Sequence, residues 1–210
     1  MPTTPSDHIV NPWSITDHHR SDGGLEAFFL FCTAVANKAA PVISGKLQMF
    51  LDGSGLAGTP FEQVRNMLGE GTLYDHLKRV RMGKYGILVR GWQHVTELPV
   101  DFLRKAGVDD LEKVPGVGPK TARFFLVHSR EYAEHAVIDT HMLKFLRDAG
   151  EAGVPTGNFP GAGNYAYLES LVLGHVRRLG LTPADFDLQA WSWYAKGNLG
   201  LPPFASRTPS

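Results

Sequence analysis

The sequence predicts an all-α fold of about ten short helices. Three observations predict it. No stretch alternates apolar and polar residues for long, and the β-branched residues are scattered, so strand signals are few. Apolar residues recur instead at helical spacing, as in Leu25, Phe28, Phe29, Cys32 and Val35. Finally, 23 glycines and 14 prolines among 210 residues cut the chain into short segments.

Residues 1–22 are polar and read as a tail that docks near Trp13. Asp22-Gly23-Gly24 starts a helix that runs to about Lys38 and is stopped by Pro41. A second short helix covers 42–51, and 53–60 is a loop. Pro60 fits the first turn of the next helix, which Thr59 and Glu62 introduce. Helices follow over 73–80, 85–98 and 99–106, with a break at Gly83, and then over 109–113, 119–128, 139–149, 164–179 and 183–196. The segment 150–163, rich in glycine and proline, is a long irregular loop of the kind that carries function. The expected organisation is a tail over 1–22, one helical domain over 23–200 with two lobes, and a short tail over 201–210.

Composition excludes several classes. Hydrophobic residues make up 43% and charged residues 20%, which excludes wholesale disorder. Basic and acidic residues both number 21, so there is no overall field for a polyanion, and nucleic-acid contact requires a local patch. The single cysteine, Cys32, excludes a disulfide, a four-cysteine zinc site and a four-cysteine iron–sulfur cluster. The histidines, His18-His19 included, lack metal-ligand spacing, so no metal and no organic cofactor is expected; a monovalent cation at the glycine hairpin stays open. The start M-P-T-T-P-S-D-H lacks the regions of a signal peptide, and the longest mostly apolar run, 27–36, is too short for a membrane. A reducing cytoplasm is the expected compartment.

The informative stretch is 109–141. Asp109 can cap a one-turn helix containing Leu111 and Val114. Pro115-Gly116-Val117-Gly118 is a tight hairpin whose glycines allow positive φ and expose main-chain N–H groups. Pro119 opens the next helix at its preferred first position. Helix, glycine hairpin and helix together form a ready site for one phosphate, without base preference. Lys120 sits in the first turn of the second helix, where the dipole favours the free amine, a usable nucleophile. Nineteen residues later Asp139 follows Val137-Ile138, precedes Thr140-His141 and stands at a helix start. Taken singly, Lys120 reads as a solvated lysine and Asp139 as an N-cap; their combination with the hairpin is the specific signal.

V-P-G-V-G-P-K-T-A followed by V-I-D-T-H resembles the helix-hairpin-helix–Gly/Pro–Asp superfamily of DNA base-excision glycosylases. The strong match covers about 109–147, with weaker likeness from about 23 to 196. The resemblance implies a two-lobed helical fold with the motif at 109–128. It implies that Gly116, Val117 and Gly118, with Thr121 and Arg123, grip DNA. Lys120 becomes the nucleophile of a bifunctional glycosylase and AP lyase, and Asp139 the essential carboxylate. The lone cysteine moves weight from the cluster-bearing pyrimidine branch toward cluster-free 8-oxoguanine glycosylases. Asn37 stands where that branch fills the gap left by the flipped base, and serves equally as a helix C-cap before Pro41.

A flipped base needs aromatic walls. Trp191 and Tyr194 share a helix face, and Phe124 lies near the hairpin, although most aromatics, Trp13, Trp92 and Trp193 among them, are as readily core. Lys78, Arg79, Arg81, Lys84 and Arg90 form a basic run, and Arg123, Arg130, Lys144 and Arg147 surround the hairpin; phosphate contacts or a solvated face are both open. The expected partner is duplex DNA carrying a modified base, bound by a monomer at the nucleoid. Two alternatives remain: a same-fold enzyme acting on a specially modified, undamaged base, and a non-catalytic DNA-binding module. A nearby carboxylate opposes the effect of the dipole on Lys120, and the balance is open at this stage.

Overall fold

The structure, a computed structural model, describes residues 10–36, 38–157 and 163–205. Among them are eleven helices and no strand, as the sequence predicts. They divide into two compact units, Met1–Phe125 and Leu126–Ser210.

The first unit is organised by α1 (Asp22–Val35). The sequence predicts an apolar stripe here, but Ala27 to Phe31 are all buried, so the helix is enclosed on every side. Its start is fixed by the Ser21 hydroxyl, which accepts from the Gly24 N–H. Around it pack α2 (Ala40–Asp52), α3 (Pro60–Gly69), α5 (Tyr85–Thr96) and α6 (Phe102–Lys105); α4 (Leu73–Arg79) packs against α3 and α5. Pro41 lies inside the first turn of α2 rather than stopping α1, because first-turn N–H groups have no helical partner to lose. Thr59 and Glu62, where the sequence predicts the start of α3, form a capping box, a feature that contributes about 1 kcal/mol.

Trp92 is fully buried, with its ring edge on Phe50 and its indole N–H donating to Thr33 Oγ1 at 2.9 Å. It is core and not a pocket wall. Trp13 is 80% exposed; among the described residues of that segment Val10 and Ile15 are buried instead, and the Ser44 hydroxyl donates to the Val10 carbonyl. Cys32 is buried, and burial pushes its thiol well up.

The second unit packs α9 (Thr140–Asp148), α10 (Tyr165–Leu179) and α11 (Pro183–Tyr194) around Phe145, Leu146, Leu168 and Phe186. Phe145 meets the edges of Phe186 and His175 at 5.0 Å each. His128, fully buried, bonds Asp187 of α11 at 3.1 Å. Phe204, within the expected C-terminal tail, packs edge-on against Phe186. The loop after α9 is tied down by Arg147, which donates to the Pro155 carbonyl, and by Glu151 against His175; its residues 158–162 lie outside the described ones.

Candidate active site and nucleic-acid interface

The hairpin of the first unit joins α7 (Val108–Leu111) to α8 (Pro119–Ser129). Gly107, and not Asp109, caps α7, and the Asp110 carboxylate reaches back to the Gly107 N–H at 3.2 Å. Leu111 and Val114 are buried and seat the motif. The Val117 N–H donates to the Val114 carbonyl at 3.0 Å and closes the turn. Gly116 has φ of +88°, and a Cβ there would lie 2.8 Å from Ile87 Cγ1, so conformation and space both require glycine. On α5, a Cβ at Gly91 would strike the Pro115 carbonyl oxygen at 2.3 Å. Positions 84, 87 and 91 share one face of that helix, and that face carries the hairpin.

Gly118 differs from Gly116. It has no positive φ, and nothing lies within 4 Å of where its side chain would start. The space in front of its main chain is open. Val117 contributes no side chain to such a surface, since it is buried and its N–H is already bonded inside the turn. The hairpin therefore offers fewer main-chain donors than its glycine pattern predicts. Pro119 takes the first position of α8, and Lys120 and Thr121 follow, both partly buried.

Arg123 is held internally. It donates to Glu112 at 3.1 Å and to the Pro119 carbonyl at 3.3 Å, bracing α8 against the end of α7. Phe124 tilts against Phe28 at 6.1 Å, so the ring packs on the core helix.

In the second unit Asp139 is the N-cap of α9. Its Oδ1 accepts from the His141 and Met142 N–H groups, each at 2.9 Å. The buried segment that delivers it is pinned to α10. The Glu169 carboxylate accepts from the Ala136 N–H at 2.9 Å. The Tyr165 hydroxyl accepts from the Ile138 N–H at 2.9 Å and donates to the Ala136 carbonyl at 3.1 Å. Tyr165 and Glu169 thus position the carboxylate, and no sequence signal marked either, because the pairing spans about thirty residues and depends on α10 packing beside the segment.

Trp191 is 44% exposed and meets the edge of the His141 ring at 6.2 Å, in the first turn of α9. Tyr194 shares its helix face by spacing but is buried. Its hydroxyl donates to Asp148, and burial followed by that carboxylate pushes it up. Trp191 is therefore available to a ligand, whereas Tyr194 is a packing residue. Lys144 donates to the Asn198 carbonyl and lies over the Tyr194 ring, and Arg147 donates to the Pro155 carbonyl, so internal partners orient both. Asn37 lies outside the described residues.

Residues 103–126 match the helix-hairpin-helix motif family. The chain carries a helix-hairpin-helix. No curated protein matches it. Among solved structures it is similar to the 8-oxoguanine DNA glycosylase of Thermotoga maritima, with a TM-score of 0.60 and 20% identity over 86% of this chain and 83% of that one. The two share a helical fold. The motif and the helical fold agree with the helix-hairpin-helix and the all-α fold expected from the sequence. Among the described residues no helix is long and apolar enough to cross a membrane.

Proposed function

We propose that this protein is a base-excision DNA glycosylase with AP lyase activity, acting on a damaged base in duplex DNA, 8-oxoguanine first. The observation that carries this reading is Lys120 in the first turn behind a helix-hairpin-helix, on a fold shared with a DNA glycosylase. A module that only holds phosphate has no use for that amine or for a carboxylate positioned as Asp139 is.

The base inside a duplex hides its glycosidic bond, so the nucleotide must be extruded first. The free amine of Lys120 attacks C1′, and the bonding pair leaves with the base, which takes up a proton. The sugar develops cationic character, and the Asp139 carboxylate stabilises it. The new amine loses its proton as the sugar ring opens to a Schiff base. Removal of a C2′ proton then expels the 3′ phosphate and cuts the strand. The choice of 8-oxoguanine rests on the lone cysteine, on Lys120 and on Trp191, an exposed aromatic face that suits a bicyclic base. We expect a monomer working at the nucleoid.

The test is a strand-cleavage assay on matched duplexes that carry 8-oxoguanine, thymine glycol, uracil or no lesion. Cleavage at 8-oxoguanine opposite cytosine is expected. Cleavage at another base alone overturns the substrate, and no cleavage at any lesion or abasic site overturns the enzyme.

A further inference from the structure

Three lysines lace together two connections of the first unit. Lys38, between α1 and α2, donates to the main-chain carbonyl of Met82. Lys46, on α2, donates to the carbonyl of Arg81 at 2.6 Å. In return Lys84, at the N-terminus of α5, donates to the carbonyl of Ala36 at 2.6 Å. The turn that receives them is conformationally costly. Arg81 and Lys84 both have φ of 53°, a region that side chains disfavour. Gly83 between them has φ of +75°, and a Cβ there would lie 2.7 Å from Lys38 Nζ, so the ammonium crosses directly over the turn.

Every partner of these lysines is a carbonyl, which accepts a hydrogen bond but neutralises no charge. Among the described residues none of the three pairs with a carboxylate. Burial pushes Lys38 down first, then the like charges of Lys84 and Lys46. Burial and then the charge of Lys120 push Lys84 down. One N–H of each ammonium is spent on its carbonyl, which leaves two for a ligand. The chain is neutral overall, so this is a local concentration of charge held in place by disfavoured backbone. Such an arrangement is stabilised by an anion that supplies the missing counter-charge.

We propose that Lys38, Lys46 and Lys84, with the exposed Arg81, form a second phosphodiester-binding site, which takes a DNA backbone separately from the glycine hairpin. The three ammoniums come from two connections and α2, and α5, which Lys84 begins, lies against the hairpin where Ile87 meets Gly116, which fits a strand better than a single free phosphate. The inference rests on the DNA reading above only for the identity of the polyanion.

Salt-dependent binding to undamaged and 8-oxoguanine duplexes, measured by fluorescence anisotropy, tests it. Each of Lys38→Gln, Lys46→Gln and Lys84→Gln should reduce the slope of log affinity against log salt by about 0.9 and weaken both duplexes alike. Lys→Arg at the same positions keeps the charge and should hold the slope, and thermal melts confirm that each variant is folded. An unchanged slope in folded Gln variants overturns the site. So does a loss confined to lesion DNA, a wild type without duplex affinity, or displacement of duplex by inorganic phosphate at matched ionic strength. A wild type that binds duplex but cleaves no lesion overturns the enzyme reading alone, since the slope still decides on the lysines.

Discussion

Replacing Asp139 with Asn separates catalysis from capping. The carboxylate accepts two N–H groups, from His141 and Met142, both at 2.9 Å and both on Oδ1. An amide oxygen placed at Oδ1 can accept the same pair, and Asn is as good an N-cap as Asp, so the stability change should be within a few tenths of a kcal/mol. Asp139→Ala removes the acceptor and should cost about 1 kcal/mol, which lowers Tm by roughly 2–4 °C in a chain of this size. Neither cost unfolds the protein. If the negative charge stabilises the cationic sugar, Asp139→Asn should slow single-turnover excision by more than about 100-fold, worth about 2.7 kcal/mol of barrier. Calorimetry measures the first quantity, and quenched single-turnover cleavage of an 8-oxoguanine duplex measures the second. An Asn variant that excises as fast as wild type would reduce Asp139 to a helix cap and refute the reasoning.

Three further outcomes are expected. Borohydride should trap wild type covalently on an abasic duplex and fail to trap Lys120→Gln; efficient trapping of that variant removes Lys120 from the chemistry. A bulky residue at either hairpin glycine should weaken damaged and undamaged duplex alike, but only at Gly116 should the melting temperature fall, because only there are φ and the 2.8 Å contact with Ile87 violated. Tyr165→Phe leaves the Ile138 N–H and the Ala136 carbonyl without their hydroxyl partner, at about 1–3 kcal/mol, and should slow excision with duplex affinity retained; unaltered excision would show that the segment needs no such anchor.

What the sequence revealed and what it hid follow from the range of the interactions. Helix positions were legible because caps and breakers act within a few residues, as at Thr59-Pro60 and Pro119. The hairpin was legible for the same reason, since Gly116 needs its conformation whatever surrounds it. The Asp139 cap also follows from local chemistry alone. What stayed hidden depends on distant partners. Spacing puts Trp191 and Tyr194 on one face of α11, yet one is exposed and the other sealed by Asp148 and Lys144. Glu169 and Tyr165 look like ordinary helix residues until α10 lies beside the Asp139 segment.

The basic residues show the same divide most sharply. By residue type they suit phosphate contacts, but a long cationic side chain meets whichever acceptor folds closest. Arg123 meets Glu112, Lys144 meets the Asn198 carbonyl, Arg147 meets the Pro155 carbonyl and Arg79 meets the Gly53 carbonyl. Each is oriented by an internal hydrogen bond, which aims the side chain at the protein surface. Because the chain also has no net charge, backbone attraction on the proposed function comes from few contacts, so non-specific affinity is weak and its dependence on salt is shallow. A repair enzyme bound this way gains little from gripping DNA in general. Its preference for a lesion then has to come from the extrusion step and from the groups that meet the flipped base, where a weakly stacked or mispaired nucleotide costs least to expose.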